Sequence, residues 1–267
     1  MNVKAEKLSF RRLGLMMKRD FLTGYTTPLI VLAAGISVQL LVDLLTLWRG
    51  NVTAGHHTAM FAPLLMVGGF IFTSNTFKEL HHKETNQSYL LIPASPLEKV
   101  LAGLLRSSLG WVLFVALWYG FFTLVSYAFG ELILGRHFPF TSPINRGMLE
   151  VYSHYLVLQS IFLVGAIYYR KNSFFKTIFS LFLFMIVFAL VLVLFFRITF
   201  ADYFRGFMMF NEESVLGPMM ELVPYRFEGL FEFLKGIKNV LYWGLLAPLA
   251  WIPTYVRFRE VQVKDGV

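Results

Sequence analysis

The sequence predicts an all-α integral membrane protein with six transmembrane helices. Of its 267 residues, 57% are hydrophobic and 15% are charged, whereas a soluble domain has roughly 25% charged residues. With 29 Phe, 12 Tyr and 5 Trp, the chain has too much apolar surface to remain disordered in water. The sequence does not show the alternation of polar and apolar residues that is typical of a membrane β-barrel. A bundle of apolar helices is therefore expected.

Six segments are long and apolar enough to cross a bilayer. A hydrocarbon core about 30 Å thick needs about 20 helical residues, because each residue adds about 1.5 Å of rise. We expect the spans at residues 28–48, 58–76, 109–129, 151–169, 177–196 and 239–256. They predict one transmembrane domain over residues 1–267, with the bundle at 28–256 and a tail at 257–267.

The distribution of basic residues predicts the orientation of the bundle. Sixteen of the 24 Lys and Arg residues lie before the first span, after the second and fourth spans, or in the tail. Basic residues concentrate on the cytoplasmic side of membrane proteins. We therefore expect both termini in the cytoplasm and the protein in the inner (plasma) membrane. The whole excess of positive charge faces anionic lipid headgroups, so no nucleic-acid partner is expected.

Residues 1–25 are expected to form an amphipathic helix that lies in the headgroup layer of the membrane. At 100° per residue, apolar side chains cluster on one face of this helix and cations on another. The residues that define the two faces are Phe10, Leu13, Met17 and Phe21 on the apolar face, and Lys4, Lys7, Arg11 and Lys18 on the basic face. Such a helix binds a lipid surface with its apolar face down. The alternative is a basic flank that only sets the topology.

The connection between the second and third spans contains a helix start at Ser95. A serine cap, Pro96 at the first helical position and Glu98 at the third form a capping box. The serine oxygen accepts from a free N–H of the helix, and the glutamate accepts from the N–H of the cap. We expect a helix that begins at this serine and continues into the third span.

A separate short helix is expected just before this start, over residues 83–91. Pro93 disfavours helical geometry at the preceding residue and so ends the short helix. The helix is polar at first and ends in Tyr89, Leu90 and Leu91. One interpretation is a docking element for a partner protein, with its apolar end exposed. The other is a helical hairpin packed against the protein's own connections.

The complete layout resembles the permease subunit of an ABC transporter of the ABC-2 type. The resemblance combines a basic interfacial helix, six spans, and a short helix followed by a "Leu/Ile-Pro-x-Ser" step into the third span. The matching residues are Glu84, Thr85, the run 90–95 and Glu98. The chain departs from the family where Ala102-Gly103 replaces the frequent Gly-Lys pair, and where His81-His82-Lys83 replaces a Glu/Arg cluster.

The resemblance implies that residues 83–91 form the coupling helix, which binds in a cleft of a separate ATPase subunit. It implies two ATPase copies that carry the ATP and Mg, and a second permease copy in a homodimer or heterodimer. It also implies short re-entrant helices within residues 197–238, and we expect export of an amphipathic or apolar substrate. The expected coupling residues are Lys83, Glu84, Thr85, Tyr89, Leu90, Leu91, Pro93, Ser95 and Glu98.

Asp43 is the only ionisable residue inside an expected span apart from His154 in the fourth. An aspartate at mid-membrane normally marks a functional site, but this one lies about 7 Å from the outer end of its span. It therefore reaches the interface, pairs with a cation of a loop, or lines a substrate path. The sequence contains no P-loop, no hydrolase or metalloprotease motif and no cysteine. We expect no catalytic residues, no metal and no cofactor bound by this chain.

Two other classes of membrane protein compete with the permease interpretation. A stand-alone protein, either a secondary transporter or a lipid-active enzyme, would need no ATPase. Secondary transporters usually show internal repeats and ionisable sites near the midplane, and neither is evident in the sequence. A membrane scaffold would use only the connection between the second and third spans as its binding surface.

Overall fold

All regular structure in the described part of the chain is helical. The computed structural model describes residues 8–26, 61–129, 142–199 and 235–265, with residues 232–233 and scattered positions between 29 and 45. The helices are α1 (Phe10–Gly24), α2 (Gly69–Ser74), α3 (Lys78–His81), α4 (Lys83–Leu90), α5 (Pro96–Leu105), α6 (Trp111–Phe129), α7 (Arg146–Tyr168), α8 (Ser173–Thr199) and α9 (Leu246–Asp265). Single π-helical turns at Leu64–Gly68, Arg106–Gly110 and Val240–Leu245 precede α2, α6 and α9.

Three of the described helices are long and apolar enough to cross a membrane. They are Pro96–Val125, Arg146–Tyr168 and Ser173–Phe195. They correspond to the third, fourth and fifth expected spans, and the membrane character of the chain rests on them. Residues 61–74 of the second expected span and the described residues of the sixth are also helical. Most of the first span and of the external segment 197–238 lies outside the described residues, so six spans stay a prediction.

The helix starts follow the local sequence. At Ser95 both halves of the capping box are present: the Glu98 N–H donates to the serine Oγ over 3.2 Å, and Glu98 Oε2 accepts from the Ser95 N–H over 2.8 Å. The predicted helix continues through the π-helical turn into α6. Asn145 caps α7 in the same way, because its Oδ1 accepts from the Met148 N–H over 2.9 Å. The short helix predicted at 83–91 is confirmed as α4.

The chain divides into two compact units. One is formed by residues 1–174 and 247–267, and the other by residues 175–246. The first unit contains two clusters of buried apolar side chains. One cluster joins α2, α6 and α7 around Trp111, Tyr119 and Tyr155. The other joins α1, α3, α4, α5, α7 and α9 around Leu80, Tyr89 and Phe258. The second cluster carries the region in which sequence analysis placed the coupling residues.

Close packing of α2 on α7 depends on a glycine. A Cβ atom at Gly69 would overlap the ring of Tyr155 and the indole nitrogen of Trp111. The same indole N–H donates to the Leu65 carbonyl over 3.1 Å and so satisfies a carbonyl of the π-helical turn. The Tyr155 hydroxyl donates over 2.6 Å to the carbonyl of Ser107, which lies in the π-helical turn before α6. Both irregular turns are therefore stabilised by side chains of the same aromatic cluster.

Candidate functional site

The expected coupling residues lie in a helical hairpin formed by α4, the loop 91–95 and α5. Lys83 begins α4, and Leu91 follows its last residue. Pro93 lies exposed in the loop, and Ser95 caps α5. The hairpin packs in the buried cluster with α1 and with residues of α7 and α9. We call it the α4–α5 hairpin.

Glu98 joins the hairpin to α1. Its carboxylate is completely buried and accepts from the Ser95 N–H of its own helix. It also accepts from the Ser9 N–H over 2.7 Å, and from Arg12 Nε and Nη2 over 3.2 and 3.0 Å. One carboxylate therefore satisfies the caps of two helices and pairs with a guanidinium. Charge-assisted hydrogen bonds of this kind are about twice as strong as neutral ones.

Lys99, the next residue, holds the end of α4. Its buried ammonium group donates to the carbonyl oxygens of Tyr89 and Leu90 over 3.2 and 3.0 Å. The last carbonyls of a helix have no partner within the helix and carry partial negative charge. A cation at this end is thus both a hydrogen-bond donor and a favourable charge. Glu98 and Lys99 together fix α1 and α4 to the base of the long helix that continues into α6.

Further ion pairs lie along the protein-facing side of α1. Arg19 pairs with Glu79 and with Asp20. Arg106 donates to the backbone carbonyls of Asp20 and Thr76, each over 3.3 Å. Burial raises the pKa of the Asp20 carboxyl, and the positive charges of Arg106 and Arg19 oppose that rise. These contacts tie α1 to α3 and to the π-helical turn before α6.

The expectation of an exposed apolar end on α4 is wrong for Tyr89. Its side chain is 5% exposed, lies edge-on to Phe258 and faces the cations of Arg19 and Lys99. Burial raises the pKa of its hydroxyl. Leu90 is partly buried in the same cluster, whereas Leu91 is 81% exposed. The hairpin is packed against the protein's own elements, as in the second interpretation, with one leucine left on the outside.

The accessible face of the hairpin is mainly polar. Glu84, Thr85, Gln87 and Ser88 are exposed on α4, next to Leu91 and Pro93. Thr85 Oγ1 donates to the Glu79 carbonyl over 2.8 Å, which braces the bend between α3 and α4. Among the expected coupling residues whose side chains the structure describes, those available to a partner are therefore Glu84, Thr85, Leu91 and Pro93. Ser95 and Glu98 instead act within the chain as helix caps.

The expected apolar face of α1 is rotated in the structure. Leu13 is buried and Met17 partly buried in the protein, together with the unpredicted Met16. Phe10 and Phe21 remain exposed, at 81% and 62%. The reason is the set of ion pairs that Arg12 and Arg19 form with Glu98 and Glu79, which turns this side of the helix toward the protein.

The exposed surface of α1 still combines apolar and basic groups. Its exposed residues include Phe10, Arg11, Leu15, Lys18, Phe21 and Leu22. This composition is compatible with a lipid surface, so the interfacial position stays a prediction with a different set of apolar contacts.

His81 connects the hairpin region to α7. Its Nε2 lies 2.8 Å from the carbonyl oxygen of Ala166. Burial lowers the pKa of this imidazole, and the nearby positive charges of Arg170 and Arg257 lower it further. Carbonyl oxygens accept hydrogen bonds only, so the neutral ring places its proton on Nε2.

Asp43 lies outside the described residues, and its role in a substrate path stays a prediction. Within the described part of the chain, no group of three or more His, Cys, Asp or Glu side chains could hold a metal ion. The sequence did not predict the structural roles of Arg12, Arg19, Lys99 or Arg106. The one available signal was the adjacent opposite charges of Glu98 and Lys99 at the start of an otherwise apolar helix.

No protein-family model, curated protein or solved structure matches this chain. The role of the α4–α5 hairpin must therefore be inferred from its own residues and contacts.

Proposed function

We propose that this chain is the membrane-spanning permease subunit of an ATP-binding cassette transporter of the ABC-2 type, driven by a separate ATPase. In this proposal the chain has six spans and cytoplasmic termini. Two ATPase copies bind the ATP and Mg, and a second permease copy completes the pathway. The complex exports an amphipathic or apolar substrate. The α4–α5 hairpin is the surface that the ATPase contacts.

The observation that carries the proposal is the attachment of α4 to the long helix of α5 and α6. An exposed polar helix between apolar helices would gain little stability by itself, because eight residues are too few for an isolated helix. Here Lys99 holds its last carbonyls, and Tyr89 anchors it in the buried cluster. A small helix fixed in this way is suited to transmit force from a partner.

The proposed mechanism follows from this attachment. Closure of the ATPase dimer on ATP pushes against the exposed face of α4. Because α4 is fixed through Lys99 to the start of α5, the displacement passes into the helix Pro96–Val125. Glu98 passes the same displacement to α1. The spans then tilt as connected bodies, and the pathway between the two permease copies opens outward.

Replacement of Leu91 by Asp tests the proposed contact. Leu91 is 81% exposed, so the change leaves the buried cluster intact. Loss of a leucine from an apolar contact costs about 1.5–3 kcal/mol, or roughly a tenfold or larger loss of affinity. The measurement is co-purification of the variant with a candidate ABC ATPase, together with ATPase stimulation in liposomes.

Ile144→Asp is the matched control. Ile144 is similarly exposed, at 75%, but lies in the connection before α7, on the side opposite to the hairpin in the proposed orientation. It should leave ATPase binding unchanged. Wild-type binding and stimulation with Leu91→Asp would contradict the proposed contact, and activity of the purified chain without any ATPase would favour a stand-alone membrane protein.

A further inference from the structure

A cavity of about 410 Å³ lies beside the α4–α5 hairpin, within the first unit. Its polar wall is formed by His81 of α3, Asn86 and Gln87 of α4, Arg170 after α7, and Arg257 of α9. Ligand pockets typically occupy roughly 300–1,000 Å³, so this space is large enough for a small polar group. Neither the coupling proposal nor the packing of the hairpin uses it.

The charge of the cavity is positive. Two guanidinium groups line it, and no carboxylate is among the described residues of its wall. Arg257 is held in position, because its Nη1 donates to Glu260 over 2.7 Å and its guanidinium lies 5.5 Å from the centre of the Tyr168 ring. Arg170 is exposed in the short turn that follows α7. Two arginines of this kind favour an anion with several oxygen atoms, because guanidinium donors match phosphate geometry.

The other wall of the cavity is apolar and lies at the end of a candidate membrane span. Leu80, Ile167 and Val261 form this wall. Helix α7 ends at Tyr168, and Tyr169, Arg170 and Lys171 follow. Aromatic and basic residues at the end of an apolar helix are typical of the level of lipid headgroups. An anion with an attached apolar portion would therefore contact both walls.

We propose that this cavity is a binding site for a phosphate group, carried either by the headgroup of an anionic phospholipid or by a soluble phosphate compound. Arg170 and Arg257 pair with the phosphate oxygens, and the side-chain amides of Asn86 and Gln87 provide further donors. The bound phosphate connects α4 to the end of α7 and to α9. The site does not depend on the permease function, although a ligand there would stabilise the same short helix.

Thermal unfolding of the purified full-length protein in neutral detergent tests the site, because a ligand that binds the folded state raises the unfolding midpoint. One arm titrates inorganic phosphate, and the other titrates phosphatidylglycerol in mixed micelles. Saturable stabilisation in the lipid arm alone identifies a lipid headgroup, and stabilisation in both arms identifies a general phosphate site. Stabilisation by inorganic phosphate alone identifies a soluble ligand. No stabilisation in either arm overturns the proposal.

Arg170→Gln and Arg259→Gln provide the comparison. Both arginines are exposed, and Arg259 lies on α9 without lining the cavity. Loss of one charged hydrogen-bond partner should weaken binding by about tenfold for Arg170→Gln, with little change for Arg259→Gln. The unfolding midpoint without ligand shows that each variant is folded. Equal binding by Arg170→Gln and wild type, or equal loss in both variants, would show that no specific site exists.

Discussion

Replacement of Glu98 by Ala removes the carboxylate that joins α1 to the α4–α5 hairpin. In the native protein this buried group accepts from two backbone N–H groups, at Ser9 and Ser95, and from the Arg12 side chain. Alanine leaves both backbone donors without this acceptor. Because Arg12 is one-third exposed, its guanidinium can be hydrated by water after the change. The main cost therefore comes from the two backbone groups.

The expected magnitude follows from these contacts. A buried or partly buried donor left without an acceptor costs about 1–3 kcal/mol, so Glu98→Ala, which leaves two such donors, should cost about 2–6 kcal/mol in total. Glu98→Gln keeps one acceptor oxygen and should cost about half as much. Arg12→Gln leaves the buried Glu98 carboxylate without its cation but with both backbone donors, so it should cost about 1–3 kcal/mol and less than Glu98→Ala. The exposed Glu84→Gln is the matched control and should change stability by less than about 0.5 kcal/mol.

Hydrogen exchange of the purified protein measures this effect locally. When α1 loses its attachment at Glu98, the amides of residues 10–24 should exchange roughly 30-fold faster or more, because each 1.4 kcal/mol corresponds to a factor of ten. Unchanged exchange in α1 for Glu98→Ala would refute the proposed attachment. An Arg12→Gln effect as large as that of Glu98→Ala would show that the ion pair, rather than the backbone contacts, holds the helix.

Three further predictions concern the hairpin, the imidazole beside it, and the orientation of the chain. Lys99→Met leaves the carbonyl groups of Tyr89 and Leu90 without their cation, so it should cost about 1–3 kcal/mol and accelerate hydrogen exchange in α4; unchanged exchange there would refute the capping role. The pKa of His81 in the folded protein is lowered below its ordinary value of 6.5. As the pH falls below 6.5, the unfolded state therefore binds more protons than the folded state, and the free energy of unfolding decreases. His81→Asn should therefore flatten the dependence of unfolding on pH between about 7.5 and 5.5, and an unaltered pH profile would contradict this. The chain has no cysteine, so single substitutions can report topology. An impermeant maleimide should label Ile144→Cys in intact cells and Ser88→Cys only after permeabilisation, and the opposite pattern would reverse the proposed orientation.

Local features of the structure were predicted where residues close together in the sequence determine them. Ser95, Pro96 and Glu98 lie within four residues of one another, and their capping box forms as expected. Pro93 ends the preceding helix because of its steric effect on the residue before it. The long apolar helices follow from composition alone, since about 20 apolar residues in succession are hardly compatible with another structure.

The burial of Tyr89 was not predictable in the same way. In the sequence it is an apolar residue at the end of a polar helix, which is equally compatible with an exposed docking surface. Its burial depends on Phe258, which lies 169 positions later in the chain. The orientation of α1 similarly depends on Glu98 and Glu79, because amphipathic periodicity locates an apolar face without identifying what covers it.

The sequence by itself determined that the chain is helical and apolar enough for a membrane, and where α4 and α5 begin. These properties depend on composition and on neighbours within a few residues. Only the tertiary structure decided that Glu98 and Lys99 hold two different helices, and which residues of α4 remain accessible. Such contacts join charged groups and aromatic rings that lie far apart in the chain. They form only in the folded protein, because its buried polar groups need hydrogen-bond partners.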